Sequence, residues 1–124
     1  MKTVSLILIM FFLHIIDDFK LQTPTLSNLK QKTYWEEHAP DEMYTNDYLC
    51  ALLTHAFSWT FMIMLPIMFI NNFELNIAFM YMFISNIILH TFIDNEKANK
   101  RTINLWQDQT VHLIQIILTA NVLN

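Results

Sequence analysis

The amino-acid sequence predicts an all-α protein, a four-helix antiparallel transmembrane bundle with a short amphipathic helix in its first cytoplasmic connection. Three observations predict it. The apolar residues are bunched into runs of membrane-spanning length, the basic residues are nearly all confined to two connections, and the ionisable residues inside the runs lie at one depth.

The first run, Val4 to Ile16, is apolar apart from Ser5 and His14, and becomes a span over residues 3–20 if the helix continues through Asp17, Asp18 and Phe19. Its rival is a cleaved signal peptide, because Lys2 precedes a short apolar stretch. The following Ile15-Ile16-Asp17-Asp18-Phe19 offers no small-residue cleavage site, so the segment is expected to be retained.

The polar connection 21–47 carries Pro24 and Pro40. Between them Leu26, Leu29, Tyr34 and Trp35 alternate with Lys30, Lys32, Glu36 and Glu37, the pattern of a short amphipathic helix lying among headgroups. Residues 41–47 are acidic and read as loop. Tyr48 to Ile70 then runs 23 residues without an Asp, Glu, Lys or Arg, Leu75 to Ile93 runs 19, and Ile103 to Leu123 runs 21 with only Asp108. These predict spans over 48–70, 74–94 and 103–123, and the whole of 1–124 as one integral membrane domain.

With four spans, connections 21–47 and 95–102 share a side and hold Lys20, Lys30, Lys32, Lys97, Lys100 and Arg101, against Lys2 alone on the other. The excess of positive charge places both connections in the cytoplasm and both termini outside a multi-pass cytoplasmic membrane protein.

Composition excludes several function classes. With no glycine, the chain has no Walker loop, dinucleotide fingerprint or nucleophile elbow, all of which need backbone geometry that glycine adopts cheaply. One cysteine, Cys50, makes neither an intrachain disulfide nor a cysteine zinc cluster. A net charge of −4 with seven scattered basic residues excludes a nucleic-acid surface.

The chemistry lies in His14, Asp18, His55, His90, Asp94, Asp108 and His112. Counted inward from the cytoplasmic helix ends, Asp18 and Asp94 lie within roughly 5 Å of the boundary and the other five at roughly 8 to 15 Å. His14/Asp18, His90/Asp94 and Asp108/His112 are i, i+4 pairs, so each pair shares a helix face. The fourth span continues its face as Asn104, Asp108, His112, Gln115 and Thr119. The second presents Ala51, His55 and Ser58, and the third stacks Asn86 one turn behind His90. These faces are expected to turn inward together at the cytoplasmic end of the bundle.

Charges within a bilayer are costly, and no lysine or arginine lies inside the spans to offset Asp18, Asp94 and Asp108. One divalent ion would leave a single negative charge and two a single positive one. Asp and His ligands suit Zn first, with Mn or Fe as alternatives. The competing readings are hydrogen-bonded glue between helices and a path for protons or ions.

Neighbouring residues carry weaker signals. His38 is expected to be exposed, and Asp17, about 100° from Asp18 on a regular helix, to be solvated. Ser58 has no recognisable oxyanion hole for a hydrolase triad. Met62, Met64 and Met68 read as packing or lipid-facing material, and Trp35, Trp59 and Trp106 as ordinary membrane aromatics, Trp106 in an interfacial belt.

The arrangement His14-x-x-x-Asp18-Phe19-x-Leu21-Gln22, Lys30, Leu53-Thr54-His55-Ala56, His90-x-x-Ile93-Asp94-x-x-Lys97 and Asp108-Gln109-x-x-His112 resembles a family of small four-helix integral membrane proteins from bacteria and their phages, catalogued as a domain of unknown function. It is distantly similar to inner-membrane proteins labelled metal-dependent hydrolases. The resemblance covers nearly the whole chain and implies a membrane protein whose characteristic polar residues match these seven positions one by one. It implies no particular reaction. The chain departs from the pattern in Asp17, where a small residue is usual, and in a longer acidic stretch before His55.

The leading expectation is therefore a metal-dependent hydrolase with one or two divalent ions in the inner-leaflet half of the bilayer, acting on a lipid or other interfacial phosphoester. Asp94 and Asp108 are the candidate proton-moving carboxylates, and Lys97, with Lys30, the candidate phosphate contacts. The alternatives are a small proton or divalent-metal transporter or channel using the same cluster, and a structural membrane partner protein.

Overall fold

The computed structural model describes residues 2–124, and among them there are six α-helices and no strand. Helix α1 (Thr3–Ile16) passes directly into a π-helical turn, Asp17–Leu21. The expected amphipathic helix is two short ones. Helix α2 (Pro24–Leu29) starts with Pro24 in the first turn, where its missing N–H costs nothing, and with Thr23 Oγ1 accepting from the Leu26 amide at 3.1 Å. Helix α3 (Lys32–His38) follows, and a single 3₁₀ turn, Glu42–Tyr44, lies in the acidic stretch expected to be loop.

The remaining helices are long. Helix α4 (Asp47–Ile70) contains Pro66, which deprives one carbonyl of its helical partner. Its turn to α5 (Ile77–Asn95) puts Asn72 and Phe73 at φ of 50° and 61°. With no glycine to use, the chain places a strained bulky residue there. Asn76 caps α5 through its side chain, at 2.8 Å from the Phe79 amide. A second π-helical turn, Glu96–Lys100, ends α5. Helix α6 (Leu105–Leu123) begins on a capping box in which Asn104 and Gln107 each accept from the other's backbone amide, at 3.0 and 2.9 Å.

The four long helices form a ring in which α4 lies between α1 and α5 and α6 closes the gap between them. Successive members run in opposite directions. At one end the Asn124 amide donates to Thr3 Oγ1 at 2.8 Å. That half is filled by an apolar core including Leu6, Met10, Ile63, Met64, Phe79 and Ile116. The opposite half holds the buried histidines and aspartates, while buried Thr60, Asn86, Gln115 and Thr119 lie among the apolar core residues. Outward faces are apolar, as Leu8, Phe57, Ile88 and Leu118 show, each about half or more exposed. Polar groups inside and large apolar groups outside invert the pattern that water imposes.

Two helical runs, Glu42–Ile70 and Ile77–Lys100, are long and apolar enough to cross a membrane. Helix α1 has only 14 residues before its π turn, and α6 carries a polar stripe.

Candidate metal centre

The site is assembled by the C-terminal ends of α1 and α5 and the N-terminal halves of α4 and α6, which antiparallel packing brings to one end of the bundle. All seven residues singled out by spacing point into it. His14, His55, His90, Asp94, Asp108 and His112 are buried, and Asp18 is nearly so.

Asp18 and Asp94 face one another across two imidazoles. His55 Nε2 lies 3.3 Å from Asp18 Oδ1 and 3.5 Å from Asp94 Oδ2. His112 lies 3.5 Å from Asp18 Oδ2 through Nδ1 and 3.8 Å from Asp94 Oδ1 through Nε2. His90 Nε2 is 3.7 Å from Asp94 Oδ2. These separations exceed the roughly 2.7–3.2 Å of a good hydrogen bond. The shortest equals the edge of a coordination tetrahedron, about 3.3–3.4 Å for metal bonds of about 2.0–2.1 Å, and the others are longer by up to about 0.5 Å, so an ion would draw the ligands slightly together.

Three overlapping triads, His14/Asp18/His112, Asp18/His55/His90 and His90/Asp94/His112, offer ligand atoms within 4.8 Å of one another, so the cluster can hold a metal ion. The pattern of hydrogen bonds fits this. Both ring nitrogens of His90 and of His112, with Asp18 Oδ1 and Asp108 Oδ1, are buried without a hydrogen-bond partner among the described residues. An orphaned buried polar atom costs about 1–3 kcal/mol, and a shared cation satisfies several at once.

His14 and Asp108 stand differently. The Trp59 indole N–H donates to His14 Nδ1 at 2.7 Å, and His14 Nε2 then donates to Gln109 Oε1 at 2.9 Å. The Gln109 amide passes its hydrogens to Asp18 Oδ2 and Asp108 Oδ2, each at 3.2 Å. His14 thus orients the carboxylates through Gln109, and joins the first triad as a ligand only by giving up its bond to Trp59 or to Gln109. Asp108 lies outside all three triads and is paired with Lys97 Nζ at 2.7 Å, although its Oδ1 is 3.7 Å from His112 Nε2.

Three sequence-based expectations are corrected. Asp17 is buried, at 1% exposure, because the π turn fits more residues into each turn and brings Asp17 and Asp18 inward together. Ser58 Oγ donates to Asp17 Oδ1 at 2.6 Å, and Asp17 Oδ2 lies 3.7 Å behind His55 Nδ1. The i, i+3 spacing of His14 and Asp17 was the signal that places Asp17 on the same face. Trp59 is no ordinary lipid-facing aromatic. It is fully buried, donates to His14 and stacks on His90 at a centroid distance of 4.3 Å. Its i+4 spacing from His55 was the available sign.

The third correction is electrostatic. Cations do reach the interior carboxylates, because Lys30 folds in from the end of α2, is 4% exposed, and binds Asp94 Oδ2 at 2.8 Å and Gln22 Oε1 at 2.6 Å. No periodicity in a connection predicts this, since its docking depends on the assembled bundle. Four aspartates (Asp17, Asp18, Asp94 and Asp108) against Lys30 and Lys97 leave two negative charges, which one divalent ion balances.

His38 is exposed as expected, bonded to the Tyr34 carbonyl at 2.9 Å, and Trp106 projects outward at 85% exposure. Comparison of the chain with protein-family models, curated proteins and solved structures gives no match.

Proposed function

We propose that the chain is a four-span protein of a bacterial or phage-associated cytoplasmic membrane, with both termini outside, whose buried His/Asp cluster binds one or two divalent ions, Zn first, and hydrolyses a lipid or other interfacial phosphoester. The observation that carries this reading is the set of N···O separations from 3.3 to 3.8 Å among groups of four helices, several of them without any other partner. The apolar outer faces favour the bilayer, with α1 and α6 completing the spans begun by α4 and α5.

A divalent ion held there would supply a water of lowered pKa and a Lewis acid for the scissile phosphoester. The protein's own groups do the rest. Asp18, Asp94, His55, His90 and His112 would hold the ion, Gln109 orients Asp18, and Lys97 faces the entrance while paired with Asp108, the carboxylate placed to move a proton.

Passage of protons or metal ions is the second reading, favoured by Asn86, Gln115 and Thr119 beyond the site. Those groups close on one another, since Asn86 Nδ2 donates to Thr119 Oγ1 at 2.8 Å and Gln115 Nε2 to Asn86 Oδ1 at 3.2 Å. The apolar core surrounds them. This supports hydrolysis over passage.

Metal analysis of detergent-purified wild type beside His90→Ala tests the proposal. We expect about one ion per chain in the wild type and a loss of more than half in the variant, with release of a phosphoester product by the wild type alone. Wild-type protein free of transition metal and unstabilised by added Zn would refute it. Metal flux into liposomes that His112→Ala abolishes, with no hydrolytic product, would replace hydrolysis by passage.

A further inference from the structure

Beside the metal cluster, between the first connection and the end of α5, lies a cavity of about 310 Å³ that the seven-residue cluster does not use. Its polar lining is Gln22, Ser27, Lys30, Gln31, Lys97 and Arg101. Three cations, two amides and a hydroxyl face it, and no carboxylate does. It adjoins a cavity of about 210 Å³ lined by Asp18, His55 and Asp94, and Gln22 and Lys97 line both.

The donors are incompletely used. Lys30 spends two of its three ammonium hydrogens on Asp94 and Gln22, and Lys97 one on Asp108. Arg101 has no hydrogen-bond or ion-pair partner among the described residues, and its backbone is left-handed at φ 55° just after the π turn. A guanidinium fork and two ammonium groups lining one cavity suit a tetrahedral oxyanion with several acceptor oxygens. The inner cluster, by contrast, carries surplus negative charge.

We propose that this vestibule is the phosphate-recognition site, where the substrate's phosphate docks on Arg101, Lys30 and Lys97 before it passes Gln22 and Lys97 to the metal cluster. The proposal deepens the hydrolase reading, and rests on it for treating the bound group as substrate. Phosphate of a lipid headgroup and phosphate of a soluble ester share the chemistry recognised here. Positive charge at the mouth also draws anions toward a negatively charged interior that would otherwise repel them.

Inorganic phosphate titrated into the purified protein, followed by ³¹P NMR line shape, tests this. Wild type is expected to bind, Arg101→Gln to bind at least fivefold more weakly, and Ser27→Glu, which puts a carboxylate into the cavity, to lose binding, with metal content unchanged in both. Competition by nanodiscs containing phosphatidic acid, absent with phosphatidylcholine, supports the proposal with a lipid headgroup as the source. Binding of inorganic phosphate in both nanodiscs as tight as in detergent supports it with a soluble ester, and equal weakening in both supports a lipid phosphodiester. No binding to the wild type, or binding unaltered in both variants, overturns it. Phosphate binding that depends on Arg101 in protein devoid of metal upholds the vestibule and removes the metal reading alone.

Discussion

At the scale of single residues, the arrangement behind His55 has a specific consequence. Asp17 Oδ2 sits 3.7 Å from His55 Nδ1, while the opposite nitrogen, Nε2, faces Asp18 and Asp94. A carboxylate hydrogen-bonded behind a ligating imidazole selects the tautomer that leaves the other nitrogen free for a metal, and such outer partners are typically worth about 10–100-fold in affinity; Asp17 Oδ2, without a hydrogen-bond partner, stands on that side of the ring and needs to close by only about 0.5–1 Å to make the bond. Asp17→Asn should therefore weaken Zn binding by about tenfold or more in a competition titration with a chromogenic chelator. An unchanged affinity would show that Asp17 is held by Ser58 for packing alone. Seven ligand candidates were legible in the sequence because i, i+4 spacing and depth are local properties. Asp17 escapes a reading based on the regular 100° step, because that step fails where the helix widens.

At the scale of elements, the connection between α1 and α4 is fastened to the end of α5 through one asparagine. The Asn99 amide, on the π turn after α5, donates to the Lys30 carbonyl at 3.0 Å and to Asn95 Oδ1 at 2.8 Å, while Asn99 Oδ1 accepts from the Lys32 amide at 2.7 Å. The Trp35 indole adds a bond to the Leu29 carbonyl at 2.8 Å. One asparagine thus holds the α2–α3 junction from both sides and delivers Lys30 to Asp94. Asn99→Ala should remove about 1–2 kcal/mol of local stability, seen as about tenfold faster hydrogen exchange at the Lys32 amide while amides of α4 are unaffected. Uniform acceleration throughout the chain, or none, would contradict this. The pairing of two π turns, after α1 and after α5, is equally an element-scale feature. Both lie at the site end, where such turns commonly serve function.

For the whole molecule, the decisive property is the inversion of polarity. Buried imidazoles, carboxylates and amides line the interior, while Leu8, Phe57, Ile84 and Leu118 face outward. In water such a surface would drive aggregation, whereas in lipid it is the ordinary solvent contact. A lysine at Ile84, near the middle of α5, should cost roughly 2.5–3.5 kcal/mol of insertion free energy. The expected result is a clear fall in the carbonate-resistant membrane fraction for Ile84→Lys, with Ile77→Lys, at the helix end, much milder. A wild-type protein that stays monomeric in buffer without detergent would refute membrane residence.

Helix existence, approximate limits and the shared faces of the chemistry-bearing residues were open to reading from the chain, since hydrophobic run length and 3.6-residue periodicity are set by near neighbours. The long helices depart from their expected limits by only a few residues for that reason. What required the folded molecule was every relation between distant segments: Lys30 reaching Asp94 across 64 positions, Trp59 donating to His14 across 45, and Gln109 joining Asp18 to Asp108. Such contacts depend on how four helices rotate and slide against one another, a balance of packing and polar satisfaction summed over the whole bundle that no local window of sequence contains.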